Sequence, residues 1–194
     1  MRTNLARLLL ASSIAIAATG ATVVDPAVAH ADHHIGTPFT GTRPFQLDIH
    51  GGLLWYGFGI ASGVRFGIPL MHNGFVNSID NAVYLNFGVD FYYADDTNWG
   101  GPGGGFHHYG FGLGIPVTVH WEFYFNDTWS AFAELGFQIY LPPALWDNNT
   151  NGFWIDAGAW VVAQVGGTVH FNEVVGLTLR VGNPYVSLGV TFYF

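Results

Sequence analysis

Residues 185–194 read Tyr-Val-Ser-Leu-Gly-Val-Thr-Phe-Tyr-Phe, "YVSLGVTFYF". Every second residue is apolar: Val186, Leu188, Val190, Phe192 and Phe194. Tyr185, Ser187, Gly189, Thr191 and Tyr193 alternate with them. Successive side chains of a strand point to opposite faces, so this is a strand with one greasy face and one small or polar face. The same rhythm runs back through the chain. One face of each earlier segment reads Phe45 to Trp55, Ile60 to Leu70, Val83 to Phe91, Phe111 to Phe123, Trp129 to Leu141, Ile155 to Phe171 and Val175 to Val181. Gly, Asn, Asp and Pro separate the segments. Eight alternating stretches in a row predict an all-β, antiparallel meander over residues 45–194.

The links between stretches are unequal. Asn126 to Thr128 and Asn172 to Val174 are tight turns, whereas Ala94 to Gly105 and Pro142 to Gly152 are long. Consecutive links of a meander fall on opposite ends, so one end carries short turns and the other long loops. Two links break the pattern: Met71 to Asp80 is too long for its end, and Gly182 to Tyr185 too short for its own.

Composition decides which way the greasy face points. Half of the 194 residues are hydrophobic, 17% are aromatic and only 9% are charged. A soluble domain typically carries about 25% charged residues. An eight-stranded barrel has an interior only wide enough for a filling of side chains. The apolar stripes hold too many Phe, Trp, Ile and Leu for that bore. The opposite face is small and polar: Gly63, Arg65 and Gly67; Asn86, Gly88 and Asp90; Thr118, His120 and Glu122; Gly176, Thr178 and Arg180. These residues suit a narrow, hydrogen-bonded lumen. The expectation is therefore an eight-stranded antiparallel up-and-down transmembrane β-barrel, with its large apolar face toward lipid. The competing arrangement is a soluble sandwich of two sheets. Aromatic residues at the segment ends fit two interfacial belts: Trp121, Phe123, Tyr124, Phe125, Trp129, Phe171, Phe192 and Phe194 at the short-turn end, and Trp55, Tyr56, Phe58, Tyr92, Tyr93, Tyr140 and Trp154 at the other.

The first residues agree. Arg2 and Arg7 precede an apolar run from Leu8 to about Ala18, and Ala29-His30-Ala31 offers a small-x-small cleavage site. Residues 1–31 thus read as a secretory signal peptide and 32–44 as a polar periplasmic leader. The remainder holds three arginines, no lysine and twelve carboxylates, which argues against a nucleic-acid partner. With no cysteine, disulfides, thiol catalysis and cysteine-held zinc are excluded.

The stripe of Val186, Leu188, Val190, Phe192 and Phe194 resembles the closing strand of Gram-negative outer-membrane barrels. In that family a terminal aromatic preceded by alternating apolar residues is an assembly signal. The wider pattern is similar to small surface barrels of the OmpA, OmpX and OmpW kind. The resemblance implies location in the outer membrane, lipid and lipopolysaccharide as neighbours, and the barrel-assembly machinery as a partner during biogenesis. The expected barrel is monomeric or weakly associated, with both termini in the periplasm and the long loops outside.

Parity locates a polar constellation. Pairing Phe125 with Trp129 across the tight turn sets His120 opposite Glu134, with Glu122 diagonal, and the next turn sets His170 opposite Gly176. Inward positions hold Asp48, Asp90, Glu122, Glu134 and Asp156 against Arg65 and Arg180, with His50, His120 and His170 as further partners. Buried carboxylates in surplus are costly unless paired. The arginines are therefore expected in carboxylate networks, and His120 partly protonated beside Glu134. The network either locks the barrel or forms a path for protons or cations. Inward Phe132, Tyr140, Trp154 and Trp160 would plug the bore and favour the first.

Other chemistries find little support. "GGPGGGFHHYG" (101–110 with Gly100) lacks the Gly-Lys-Ser/Thr of a phosphate loop. Adjacent His107 and His108 point oppositely on a strand, a poor metal pair. Ser62, Ser78, Ser130 and Ser187 lie in no Gly-x-Ser-x-Gly context. No cofactor, metal or catalytic residue is expected. The expected role is structural or interaction-based at the cell envelope, against a narrow pore or conduit and, third, a lipid-modifying enzyme.

Overall fold

The structure, a computed structural model, describes residues 33–54, 58–99, 106–141 and 158–194. The first 31 residues, Trp55, Tyr56, Trp154 and Asp156 lie outside them. The described chain forms one sheet of eight strands: β1 (Gln46–Leu54), β2 (Phe58–Met71), β3 (Asn81–Trp99), β4 (Phe106–Tyr124), β5 (Trp129–Leu141), β6 (Gly158–His170), β7 (Val175–Asn183) and β8 (Tyr185–Tyr193). Each pairs antiparallel with the next, and β1 pairs with β8, so the barrel closes and no edge is left unpaired. No helix among the described residues is long and apolar enough to cross a membrane, which says nothing of a barrel.

The register follows the alternation. His120 stands opposite Glu134 on β4 and β5, and His170 opposite Gly176 on β6 and β7, as parity required. The stretch 94–105 departs from expectation. Its Asp, Asn and Gly content reads as loop, yet β3 continues to Trp99 and β4 begins at Phe106. The hairpin resumes after a register shift between Ala94 and Thr97, with Thr97 opposite His108 and Trp99 opposite Phe106. Ladder pairing uses the backbone, so composition alone misses it.

The barrel is inside out relative to a soluble core. Phe66, Phe87, Phe91, Leu135, Phe137, Val161, Val165, Leu179 and Leu188 are exposed on the outer surface. Arg65 and Glu134 are 1% and 2% exposed, and Asp48, His50, Asp90, His120, Glu122 and Arg180 are buried with them. Large side chains fit the bore because glycines face them. The Tyr140 ring occupies the space beside Gly112, the Tyr92 ring that beside Gly114, and the Phe132 ring that beside Gly166. A Cβ on Gly166 would meet the Phe132 ring and the Leu179 carbonyl. The ring could turn aside, but the carbonyl belongs to a strand and cannot. Gly166→Ala is expected to cost about 1–3 kcal/mol, the usual range for overpacking. A lowered urea midpoint at unchanged denaturant slope would show it.

The described part of the expected leader, residues 33–44, lies across the short-turn mouth. The Ile35 amide donates to the Phe125 carbonyl (3.3 Å), and the Asp80 amide donates to the Ile35 carbonyl (3.1 Å). The overlong link 72–80 thereby has a role: it supplies Asp80 and His72 as docking partners for this segment.

Candidate functional site: the polar bore

Three layers of side chains fill the bore. In the middle layer Glu134 of β5 is the hub. Arg65 of β2 donates from Nη1 to Oε1 and Oε2 (3.2 and 3.3 Å), and Arg180 of β7 donates from Nε to Oε2 (3.1 Å). The Asn86 amide and the Thr118 hydroxyl also donate to Oε1, each at 3.0 Å. Arg180 Nη1 reaches Asp48 (2.9 Å), which also accepts from Thr191 (3.0 Å) and from His50 Nδ1 (2.8 Å). Arg65 Nη2 donates to Asp90 (3.3 Å) and to the Tyr185 hydroxyl (2.6 Å). Tyr185 in turn donates to Asp90 (2.8 Å). Each arginine thus spans two carboxylates, and His50 lies between Asp48 and Asp90, its Nε2 3.2 Å from the latter. Seven strands, all but β6, supply these residues, so the layer ties the wall together across the bore.

Toward the short turns sits a second layer around Glu122 of β4. Ser130 donates to it at 2.6 Å, Tyr124 at 2.9 Å and Gln46 at 3.1 Å. Among the described residues no arginine reaches Glu122; its nearest imidazoles are His120 (3.6 Å) and His170 (4.0 Å). His120 lies between the two layers, its Nδ1 3.8 Å from Glu134, its ring stacked on Phe132 at 4.4 Å. The expected partnership with Glu134 is thus shared with Glu122. Neither contact reaches hydrogen-bond length, and Arg65 and Arg180 take the direct bonds to Glu134.

Toward the long loops the third layer is aromatic. Leu54, Ala61, Tyr92, Tyr140 and Tyr185 pack together, with Trp160 against them. The Tyr92 hydroxyl donates to Gln138 (2.8 Å) and Asp90 (3.1 Å), which joins this lid to the charged layer. Phe132 and Tyr140 are therefore inside, as plugging requires.

Eight of the nine expected lumen residues, Asp48, Arg65, Asp90, His120, Glu122, Glu134, His170 and Arg180, meet in this network; Asp156 lies outside the described residues. The belts need correction. Tyr92, Tyr124 and Tyr140 are buried in the bore rather than on the rim. Their even positions put them on the face of Asp90, Glu122 and Gln138, where their hydroxyls find partners. Strand-end position suggested a belt, and parity overrides it. Phe125, Trp129, Phe171 and Phe194 at one end, and Tyr93 at the other, do face outward. Gln46, Gln138, Gln164 and Tyr185 join the network beyond the residues expected to line the lumen, although the same parity marks them.

Ser130, His170 and Glu122 come together, but not in the order of a catalytic triad. Ser130 Oγ is 3.0 Å from His170 Nε2 and gives its proton to Glu122. Glu122 approaches the same imidazole nitrogen rather than Nδ1, so it does not orient the ring as a base. Among the described residues no three His, Asp or Glu converge so as to hold a metal ion. No protein-family model matches the chain, and no curated protein matches it.

Proposed function

We propose that the chain is an outer-membrane surface barrel with a structural or interaction role in the envelope, its lumen plugged by a polar network. The observation that carries this reading is the inversion of polarity: charged groups buried at the axis and large apolar side chains exposed around the wall. In water such an exterior would be an exposed apolar patch running round the molecule, which soluble monomers avoid. In a bilayer, lipid solvates it, and closure satisfies every ladder. The 13 residues of β5, tilted, are long enough for the hydrocarbon core, which needs about 9–11. The N-terminal leader pattern and the outward aromatics at both ends support the same location.

The plug favours a structural role over transport. Arg65 and Glu134 meet at the centre, and the aromatic lid covers one end. The protein, produced with its leader in a Gram-negative host, is expected in the outer-membrane fraction, with faster gel mobility unheated than heated. Reconstituted in liposomes, it is expected to pass small ions and sugars no faster than protein-free vesicles. Recovery from the soluble fraction would defeat the location; flux well above background would defeat the plugged bore and favour the conduit. Lipid turnover by the purified barrel would favour an enzyme.

A further inference from the structure

We propose that residues 33–45 are a latch that controls water access to the Glu122 layer from the short-turn end, with Arg43 as its key. This rests on the plugged-bore reading and extends it to a part of the chain that could have hung free.

The latch is built, not merely adjacent. Arg43 is 2% exposed although it belongs to no strand. Its guanidinium lies between two rings, 3.6 Å from the centre of Phe39 and 4.1 Å from that of Tyr124. It pairs with the buried Asp80 carboxylate, and Nε donates to the His72 carbonyl at 3.1 Å. His33 stacks on Tyr124 at 4.6 Å and holds the other Asp80 oxygen at 2.9 Å. The backbone anchors to two of the three links at this mouth: the His33 amide donates to Asp127 (2.6 Å), and the Phe39 amide donates to Asn73 (3.2 Å). Phe39, His33 and Arg43 all belong to the latch; Asp80, His72 and Tyr124 form its berth.

Tyr124 joins berth and bore. Its ring carries Arg43 and His33, and its hydroxyl donates to Glu122 at 2.9 Å. Glu122 is the one carboxylate of the described bore without an arginine, held by neutral donors and histidines. With the latch seated it is 1% exposed. With the latch lifted, the Tyr124 ring loses the groups that cover it, and water and small cations gain a route to this carboxylate. A cationic key over an acidic, otherwise cation-poor chamber is the arrangement a closable mouth requires.

The chain has no cysteine, so a single reporter reads access cleanly. Ser130→Cys places a thiol beside Glu122, and Ser187→Cys places one in the buried half nearer the aromatic lid. Both are labelled in detergent micelles with a charged thiol reagent and followed by mass. Arg43→Ala is expected to raise labelling at position 130 at least tenfold and to leave position 187 unchanged. Equal rates at position 130, or equal rises at both positions, overturn the latch. Should Arg43→Ala fail to fold, Phe39→Ala removes one aromatic wall and keeps the ion pair; a rise of severalfold at position 130 alone is expected, and no rise overturns the proposal. Because labelling is read in micelles, failure of the purified barrel to enter vesicles would count against the membrane reading and leave this result standing.

Discussion

Leu135→Arg should abolish insertion into lipid vesicles, although a charged residue, Glu134, is native one position away. Leu135 is 64% exposed at the midpoint of β5, and its neighbour Glu134 is 2% exposed. On a water-soluble protein an exposed leucine exchanged for arginine changes stability little and improves solubility. On a lipid-facing strand at mid-depth it costs about 2–4 kcal/mol. The sign of the effect therefore depends on the solvent around the wall, which makes this substitution decisive. The measurement is the fraction of refolded protein that floats with phospholipid vesicles and keeps its heat-modifiable mobility. Val161→Arg, at 62% exposure on the neighbouring strand, should behave alike. Parent-like flotation of both variants would sink the membrane reading, and a gain in solubility without vesicles would argue for a barrel that lives in water. A charge placed outside the expected hydrocarbon zone, Glu173 in the β6–β7 turn, is tolerated by the native chain, in keeping with depth dependence.

Much of this architecture was legible because period-two patterning is a purely local signal. Leu135 and Glu134, Val117 and Thr118, Phe87 and Asn86 sort themselves by parity with no knowledge of the partner strand. Turn length then fixes register, and so His120 was set against Glu134 before any coordinates. What the sequence hid depends on contacts distant along the chain. Arg43 meets Asp80 across the mouth, and nothing near either residue announces the other. The polar stretch 33–44 reads as a free leader because its few anchoring groups are scattered among Gly, Thr and Pro. Tyrosines misled for a different reason: the residue suits both a membrane rim and a buried hydrogen bond, and only its face on the strand separates the two. The even positions of Tyr92, Tyr124 and Tyr140 are what separate the two and put all three in the bore. Gln138 carries no charge and nothing nearby in the sequence marks it, yet Tyr92 depends on it for a hydrogen bond.

Arg65→Leu should destabilise the barrel more than Glu134→Gln, although the two residues are partners. Among the described bore residues there are four carboxylates and two arginines; Asp48, Asp90 and Glu134 share the arginines, and Glu122 has neither. Removing Arg65 takes away one of those two cations and leaves Asp90 and Glu134 competing for what remains. Asp90 keeps His50 and two tyrosine hydroxyls; Glu134 keeps Arg180, Asn86 and Thr118. Breaking a buried pair from one side costs about 3–5 kcal/mol, because the uncompensated charge stays out of water. Glu134→Gln also breaks the pair, but it removes one negative charge from a surplus and keeps an acceptor for Arg65, Arg180 and the Asn86 amide. Its cost should be smaller, about 1–3 kcal/mol, in the range of a hydrogen bond to a charged group. The double variant Arg65→Leu/Glu134→Gln should cost less than the sum of the singles, since the second change removes the carboxylate that the first left unpaired. Urea unfolding of the micelle-bound barrel, followed by tryptophan fluorescence and gel mobility, gives all three values. Equal losses for the two singles would mean that hydrogen bonds, not charge balance, hold the layer. A loss below about 1 kcal/mol for Arg65→Leu would mean that the wall of the barrel stands without its polar centre.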